Sequence, residues 1–406
     1  MSLLPVEEAL ERLLSSAVPM TDKEEVALDD ALGRVLAADV AARLTHPPFD
    51  NSAMDGYAVR DADVRVLGAE LSVIGQAAAG HGFAGVVGVG EAVRIFTGAP
   101  VPEGADCILI QEDAEVMGDG RIRSRFHPGP GRHIRPRGQD FQDGQRVLEA
   151  GQSLDMARLT VAAAMSHARL PVYRRVRVAV LSTGDELVAP GTLPGPHQIV
   201  ASNGTGIGAL ARENGASVID LGLVPDDRDA LADAVARAQE AGADVLVTLG
   251  GASVGDHDLV RSTLLSLGMA LDFWKIAMRP GKPLMVGRLA GMHVLGLPGN
   301  PASSLVCGLL FLEPLLRRLG HLPTAERARE AISGRALPAN DRRQDYVRAR
   351  LIRRADGTLE ATAFDRQDSS MMSVFSAAGA LIVRRPQAPA LNAGDPCRIL
   401  MLRAPE

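Results

Sequence analysis

The stretch "KIAMRPGKPLMVGRLAGMHVLGLPGNPASS", residues 275–304, sets two cations, Arg279 and Lys282, around a Pro-Gly pair. Pro280, Gly281 and Pro283 rule out a continuous helix, and Gly281 can take backbone angles that other residues avoid, so the cations sit on a turn. The apolar run Met292 to Leu297 reads as a buried strand, and Ser303 and Ser304 follow its punctuated end where a helix would begin. A strand end, a helix start and two cations are chemistry suited to a phosphate or another oxyanion. A solvated surface turn is the plain alternative for the cation pair.

Two more collections have the same character. In "TLGGASVGDHD", residues 248–258, Gly250, Gly251 and Gly255 with Ser253 would let backbone amides approach a phosphate, and Asp256 and Asp258 would suit a hard divalent cation such as Mg2+. The pattern is neither a P-loop nor a GxGxxG fingerprint. In "STGDEL", residues 182–187, Ser182, Thr183 and Gly184 offer hydroxyl and backbone donors, and Asp185 and Glu186 offer carboxylates. Ordinary turn chemistry accounts for that composition equally well.

The elements that must position these groups come from the texture between residues 176 and 320. "VRVAVLSTGDEL", "GIGALARENGASVIDLGLVPDD", "DALADAVARAQEAGADVLVTLGG" and "HVLGLPGNPASSLVCGLLFLEPLLRRL" alternate apolar strands with amphipathic helices, which predicts a mostly parallel sheet covered on both faces. Ligands of such sheets bind at the carboxyl ends of the strands, and all three collections follow predicted strands.

Before this region, the spacing of Val6, Leu10, Leu13 and Leu14 predicts a helix over 5–16, and "VALDDALGRVLAADV" a second short one. Residues 43–146 are rich in Gly, Pro and short β-branched runs, hence a β-rich module. Residues 153–170 read as a helix with Ser153 as N-cap. After residue 320, "DYVRARLIRR", "LEATAF", "ALIVRRP" and "PCRILML" read as strands of a small β-barrel or sandwich. The loop "HPPFDNSAMDGYAVR", residues 46–60, crowds Asn51, Ser52, Asp55 and Tyr57, as an Asx-turn network at a domain junction would.

A chain of 406 residues suggests two to four domains at roughly 150 residues each. With 46% apolar and 23% charged residues it should fold rather than remain disordered, and a net charge of -6 speaks against general nucleic-acid binding. Cys107, Cys307 and Cys397 lie far apart, which supports neither a zinc ribbon nor a disulfide framework and fits a reducing cytoplasm. Glu7, Glu8 and Glu11 interrupt any signal-peptide core, and no run of about 18 uncharged apolar residues follows. Neither secretion nor a membrane span is expected.

Taken together, "PPFDNSAMDGYAVR", "TGAPVPEGAD", "STGDEL", "SNG", "LGGASVGDHD", "RPGKP" and "GLPGNPASS" resemble, in order and almost end to end, the molybdopterin molybdotransferases of the MoeA family, which includes the E domain of gephyrin. The resemblance implies a multidomain α/β plus β fold of four parts: a helical linking domain (1–45 plus 147–175), an inserted β-rich domain (46–146), a doubly wound molybdopterin-binding-type α/β domain (176–325) and a C-terminal small β-barrel (326–406). It implies a homodimer with active sites shared between subunits, and conversion of adenylylated molybdopterin and molybdate to molybdenum cofactor with release of AMP, assisted by Mg2+. Transient contact with the molybdopterin adenylyltransferase would follow.

By the same resemblance, Asp55 and Thr97 face the partner subunit's site, and with Glu186 and Asp258 they make the catalytic set. Glu186 and Asp258 would also hold the metal. Ser182, Gly250, Gly251, Ser253 and either Asp226 or Asp227 would serve the nucleotide side. Arg279, Lys282, Pro283 and Ser303 would hold molybdate or the pterin phosphate, with Arg343 and Ser369 reaching in from the C-terminal region. Where the family often has "KPGKP", this chain has Arg279, which keeps the charge but adds a planar fork. No nucleophilic triad is needed on this reading, and His46, His257 and His293 read as structural. A non-enzymatic molybdopterin-binding scaffold of the gephyrin E-domain type is the alternative.

Overall fold

The computed structural model describes residues 3–250 and 259–405. They form two compact units, Met1–Glu24 with Tyr173–Glu406, and Glu25–Val172.

The first unit is built on a six-stranded mixed sheet in the order Ser217–Val224, Arg177–Thr183, Val245–Leu249, Met292–Leu297, Met285–Leu289 and Ala270–Trp274. The first four strands run parallel, and Met285–Leu289 is antiparallel to both of its neighbours. Strands buried on both faces explain the continuous apolar runs. Alternation with period two sends Val178, Val180, Val245, Val247, Leu295 and Leu297 into one core, and Ala179, Leu181, Leu246 and Val294 into the other. The first core is covered by the helix Asn203–Glu213 and the helical run from Pro301–Cys307 to Glu313–Leu319, the second by Arg228–Glu240 and Leu259–Ser266.

Residues beyond 320 close a five-stranded barrel. Gln344–Arg353, Leu359–Ala363, Ala328–Ser333, Pro396–Met401 and Ala380–Arg384 pair in that order, and the last strand returns to the first. The basic turn is stitched to this barrel, because Met278–Arg279 pairs in parallel with Gln344–Arg353. The opening helix Val6–Ser15 buries Val6, Ala9 and Leu13 in the same core as the sheet and as Tyr346 and Leu381 of the barrel.

The second unit contains a curled six-stranded sheet in the order Cys107–Ile110, Gly56–Val59, Glu91–Ile95, Glu70–Ala77, Arg121–Ser124 and Ala114–Val116. The expected second helix over 26–40 is absent: the chain makes a strand, Lys23–Ala27, and one 3-10 turn, Leu28–Asp30, before Gly33 reverses it at φ 72°. The later helix starts at Met156 rather than Ser153, because Asp155 is the residue whose carboxylate accepts from the Arg158 N–H.

Among the described residues no helix is long and apolar enough to cross a membrane. The three cysteines are buried and unpaired, and burial pushes the Cys107 thiol up to about 12, so they pack rather than react.

Candidate functional site

The carboxyl ends of the four parallel strands converge on a cleft of about 640 Å3. Ser182, Thr183, Gly184 and Glu186 enter it from the end of Arg177–Thr183, Asp226 from the end of Ser217–Val224, Gly250 from the end of Val245–Leu249, and Pro298 to Pro301 from the end of Met292–Leu297. Pro283 closes the side toward the basic turn, and Ser370 and Met372 supply a wall from the barrel.

Backbone approach here requires glycine. Gly250 has φ 96°, and a Cβ on it would come within 2.5 Å of the Thr183 carbonyl oxygen. Gly281 has φ 108°, and its Cβ would meet the Cys307 Sγ at 2.5 Å. This close fit presses the basic turn against the helix Pro301–Cys307.

Two carboxylates, Glu186 and Asp226, line the cleft. The Thr183 hydroxyl donates to Asp226 Oδ1 at 2.6 Å, and the Asp226 N–H donates to Asp185 at 3.1 Å. Asp226 Oδ2 and both Glu186 carboxylate oxygens have no partner among the described residues. Asp227 is spent differently: it caps the helix Arg228–Glu240, accepting from the Asp229 and Ala230 N–H groups at 3.0 and 2.9 Å. Among the described residues no group of three or more His, Cys, Asp and Glu could hold a metal. Glu186 and Asp226 alone still suit Mg2+, which takes one or two protein carboxylates and completes its shell with water and substrate phosphate oxygens.

The anion-binding side is less uniform than its sequence. Arg279 donates to Asp345 at 2.5 Å and lies 3.5 Å from Asp341, and these carboxylates raise its pKa further. Arg343 also engages Asp341, at 3.2 Å. The Lys282 ammonium has no partner among the described residues. The helix expected at Ser303 begins at Pro301, so Ser303 lies inside its first turns and is buried. Ser369 stands behind the wall, accepting from Asn300 Nδ2 at 3.0 Å and from the Ala302 N–H at 3.0 Å. Gly251, Ser253 and Asp258 lie outside the described residues.

Sequence reasoning passed over Asn203, Asn300, Ser370 and Met372. Asn203 donates to the Gly299 carbonyl at 2.7 Å, and Ser202 donates to the Met372 sulfur at 3.2 Å. An asparagine at a helix start after each strand end was the available signal for the first two.

In the second unit, Asp55 and Thr97 come together: the Thr97 N–H and hydroxyl both donate to Asp55 Oδ1 at 2.8 Å. These bonds lower the Asp55 pKa, with a smaller contribution from Arg94.

A doubly wound α/β sheet whose parallel strand ends hold an acidic, glycine-lined cleft, joined to a β-barrel, defines a multidomain protein with a ligand-binding site at the sheet edge. Residues 4–166 match the MoeA N-terminal region (domain I and II), 179–318 match a "Probable molybdopterin binding domain", and 330–402 match the MoeA C-terminal region (domain IV). The chain is 35% identical to the molybdopterin molybdenumtransferase of Haemophilus influenzae over 97% of each chain, and 42% identical to that of a Nostoc species over 74% of this chain and 70% of the relative. Its fold is similar to the crystal structure of a molybdopterin biosynthesis MoeA protein from Pyrococcus horikosii, with TM-score 0.82, 30% identity, and coverage of 99% of this chain and 100% of that one. The chain belongs to the MoeA family of molybdenum cofactor biosynthesis enzymes.

Proposed function

We propose that the cleft takes adenylylated molybdopterin and molybdate, and that the enzyme releases AMP as molybdenum enters the dithiolene. The observation that carries this reading is the convergence of Ser182, Glu186, Asp226 and Gly250 with Pro283, whose neighbour Lys282 has no partner among the described residues. In the overall step the phosphoanhydride P–O bond breaks, water supplies the new P–O oxygen, AMP and the pterin phosphate separate, and the two dithiolene sulfurs bind molybdenum as one oxo group of molybdate leaves as water with the two thiol protons.

Gly250 leaves its backbone open to a phosphate, and Ser182 and Asn203 supply polar contacts along the nucleotide. Glu186 and Asp226, with Asp258, would hold Mg2+, which when bound neutralises charge on the phosphoanhydride. Lys282 attracts the molybdate dianion to the Pro283 side, whereas Arg279 anchors the turn to the barrel.

The reading extends to a homodimer in which Asp55 and Thr97 complete the partner subunit's cleft, to a cytoplasmic setting, and to transient contact with the adenylyltransferase that supplies the substrate. The four-part division (1–45 plus 147–175, 46–146, 176–325, 326–406) belongs to the same proposal; the separately matched segments support its α/β and C-terminal parts. The test is AMP release from adenylylated molybdopterin with and without molybdate, and with Mg2+ or a chelator. Release that needs both supports the proposal. Tight binding of molybdopterin without release would make the protein a scaffold.

A further inference from the structure

Trp274 is the single tryptophan of the chain. It ends the outermost strand of the mixed sheet and leads directly into the basic turn. Its indole is covered twice: the Lys275 ammonium lies 3.8 Å from a ring centroid, and the Arg261 guanidinium carbon 4.0 Å.

Lys275 is held in an uncommon backbone conformation, φ 76°, which a lysine adopts at some cost. Its N–H donates to the Leu284 carbonyl at 3.3 Å, and the Ile276 N–H donates to the Lys282 carbonyl at 3.0 Å. These two bonds close the turn, with Lys275 opposite Leu284 and Ile276 opposite Lys282, so both lysines stem from its base, where Pro283 lines the cleft. Neither ammonium meets a carboxylate among the described residues, whereas Arg279 between them is neutralised by Asp345 and Asp341.

A carboxylate would fix a lysine by cancelling its charge. An aromatic face fixes it through the ring quadrupole and leaves the charge available to an anion. We propose that Trp274 is a positioning residue for the oxyanion substrate, presenting the Lys275 ammonium beside Lys282 to a tetrahedral dianion. The proposal rests on the reading of the cleft as a molybdate-using site.

Because the chain has one indole, its emission reports this corner alone. Molybdate would be titrated into the full-length protein at constant ionic strength, with chloride as control, and the molybdate KM for AMP release measured for Trp274→Phe and Trp274→Leu. We expect a saturable change in wild-type emission with molybdate and none with chloride. Trp274→Leu should raise the molybdate KM about tenfold at unchanged kcat, and Trp274→Phe, which keeps a ring face, should stay within about threefold. A flat titration overturns the proposal, as does a Phe variant as impaired as the Leu variant. Wild-type protein that releases no AMP yet shows the saturable emission change would remove the transferase reading and leave the oxyanion site standing.

Discussion

Arg279 and Asp345 face each other in register across two parallel strands, and their side chains form an ion pair at 2.5 Å. The residue that departs from the "KPGKP" pattern is thus joined to the barrel. Its arginine fork reaches both Asp345 and Asp341, which a lysine point charge would do less well.

Arg279→Ala and Lys282→Ala should therefore separate. Arg279 is 45% exposed, so its loss should cost no more than about 1 kcal/mol of stability and leave the molybdate KM within about threefold. Lys282→Ala should raise that KM by about tenfold or more, because a charge contact to the oxyanion is lost. Steady-state AMP release against molybdate concentration decides the matter, and equal KM values for the two variants would contradict it.

Asp226 and Asp227, adjacent in sequence, should respond to substitution in opposite ways. Asp227→Ala removes a helix cap and should lower stability by about 1 kcal/mol with turnover little changed. Asp226→Asn should leave the unfolding midpoint nearly unmoved and reduce kcat by about a hundredfold or more, as expected for a group that steadies charge at a phosphoanhydride. Chemical denaturation alongside single-turnover assays checks both.

Acid should destabilise the first unit through His293. Arg288 donates to its Nε2 at 3.0 Å, and burial first, then the Arg288 charge, push its pKa down to about 4. The unfolded chain takes up this proton near pH 6.5, so the folded state carries the full benefit above that pH and loses it as pH falls toward 4. Between pH 7 and 5 the loss is roughly 2 kcal/mol. His293→Gln, whose carbonyl still accepts from Arg288, should flatten the pH dependence of the denaturation midpoint over that range; an unchanged slope would remove His293 as the cause.

The proposal that the active sites are shared between two subunits predicts complementation. Asp55→Asn and Glu186→Gln should each be inactive as pure homodimers. After subunit exchange, the mixed dimer carries one intact site and should recover up to about a quarter of wild-type AMP release across the mixture, by the symmetry of a two-fold dimer. No recovery would place Asp55 and Glu186 in a single subunit's site.

Much of this was legible in the residues. Continuous apolar strands between amphipathic helices gave away the α/β sheet, and the strand ends at Ser182, Gly250 and Pro298 marked its working edge because parallel order sends them to one side. What escaped depended on contacts between distant segments. The pairing that consumes Arg279 needs the register between Met278–Arg279 and Gln344–Arg353, and no local pattern encodes it. The choice between Asp226 and Asp227 turns on which carboxylate the helix start takes. The false helix over 26–40 had the right apolar spacing, but Gly33 and the pairing of Lys23–Ala27 overrode it.

The barrel wall of the cleft carries a consequence for synthesis on the ribosome. The sheet that supplies Ser182, Asp226 and Gly250 is complete once Met292–Leu297 has emerged, but Ser370 and Met372 are fixed only when Ala380–Arg384 and Pro396–Met401 have closed the barrel. A nascent chain therefore displays a one-sided groove over about the last quarter of its translation. Only a finished polypeptide walls the cleft on both sides.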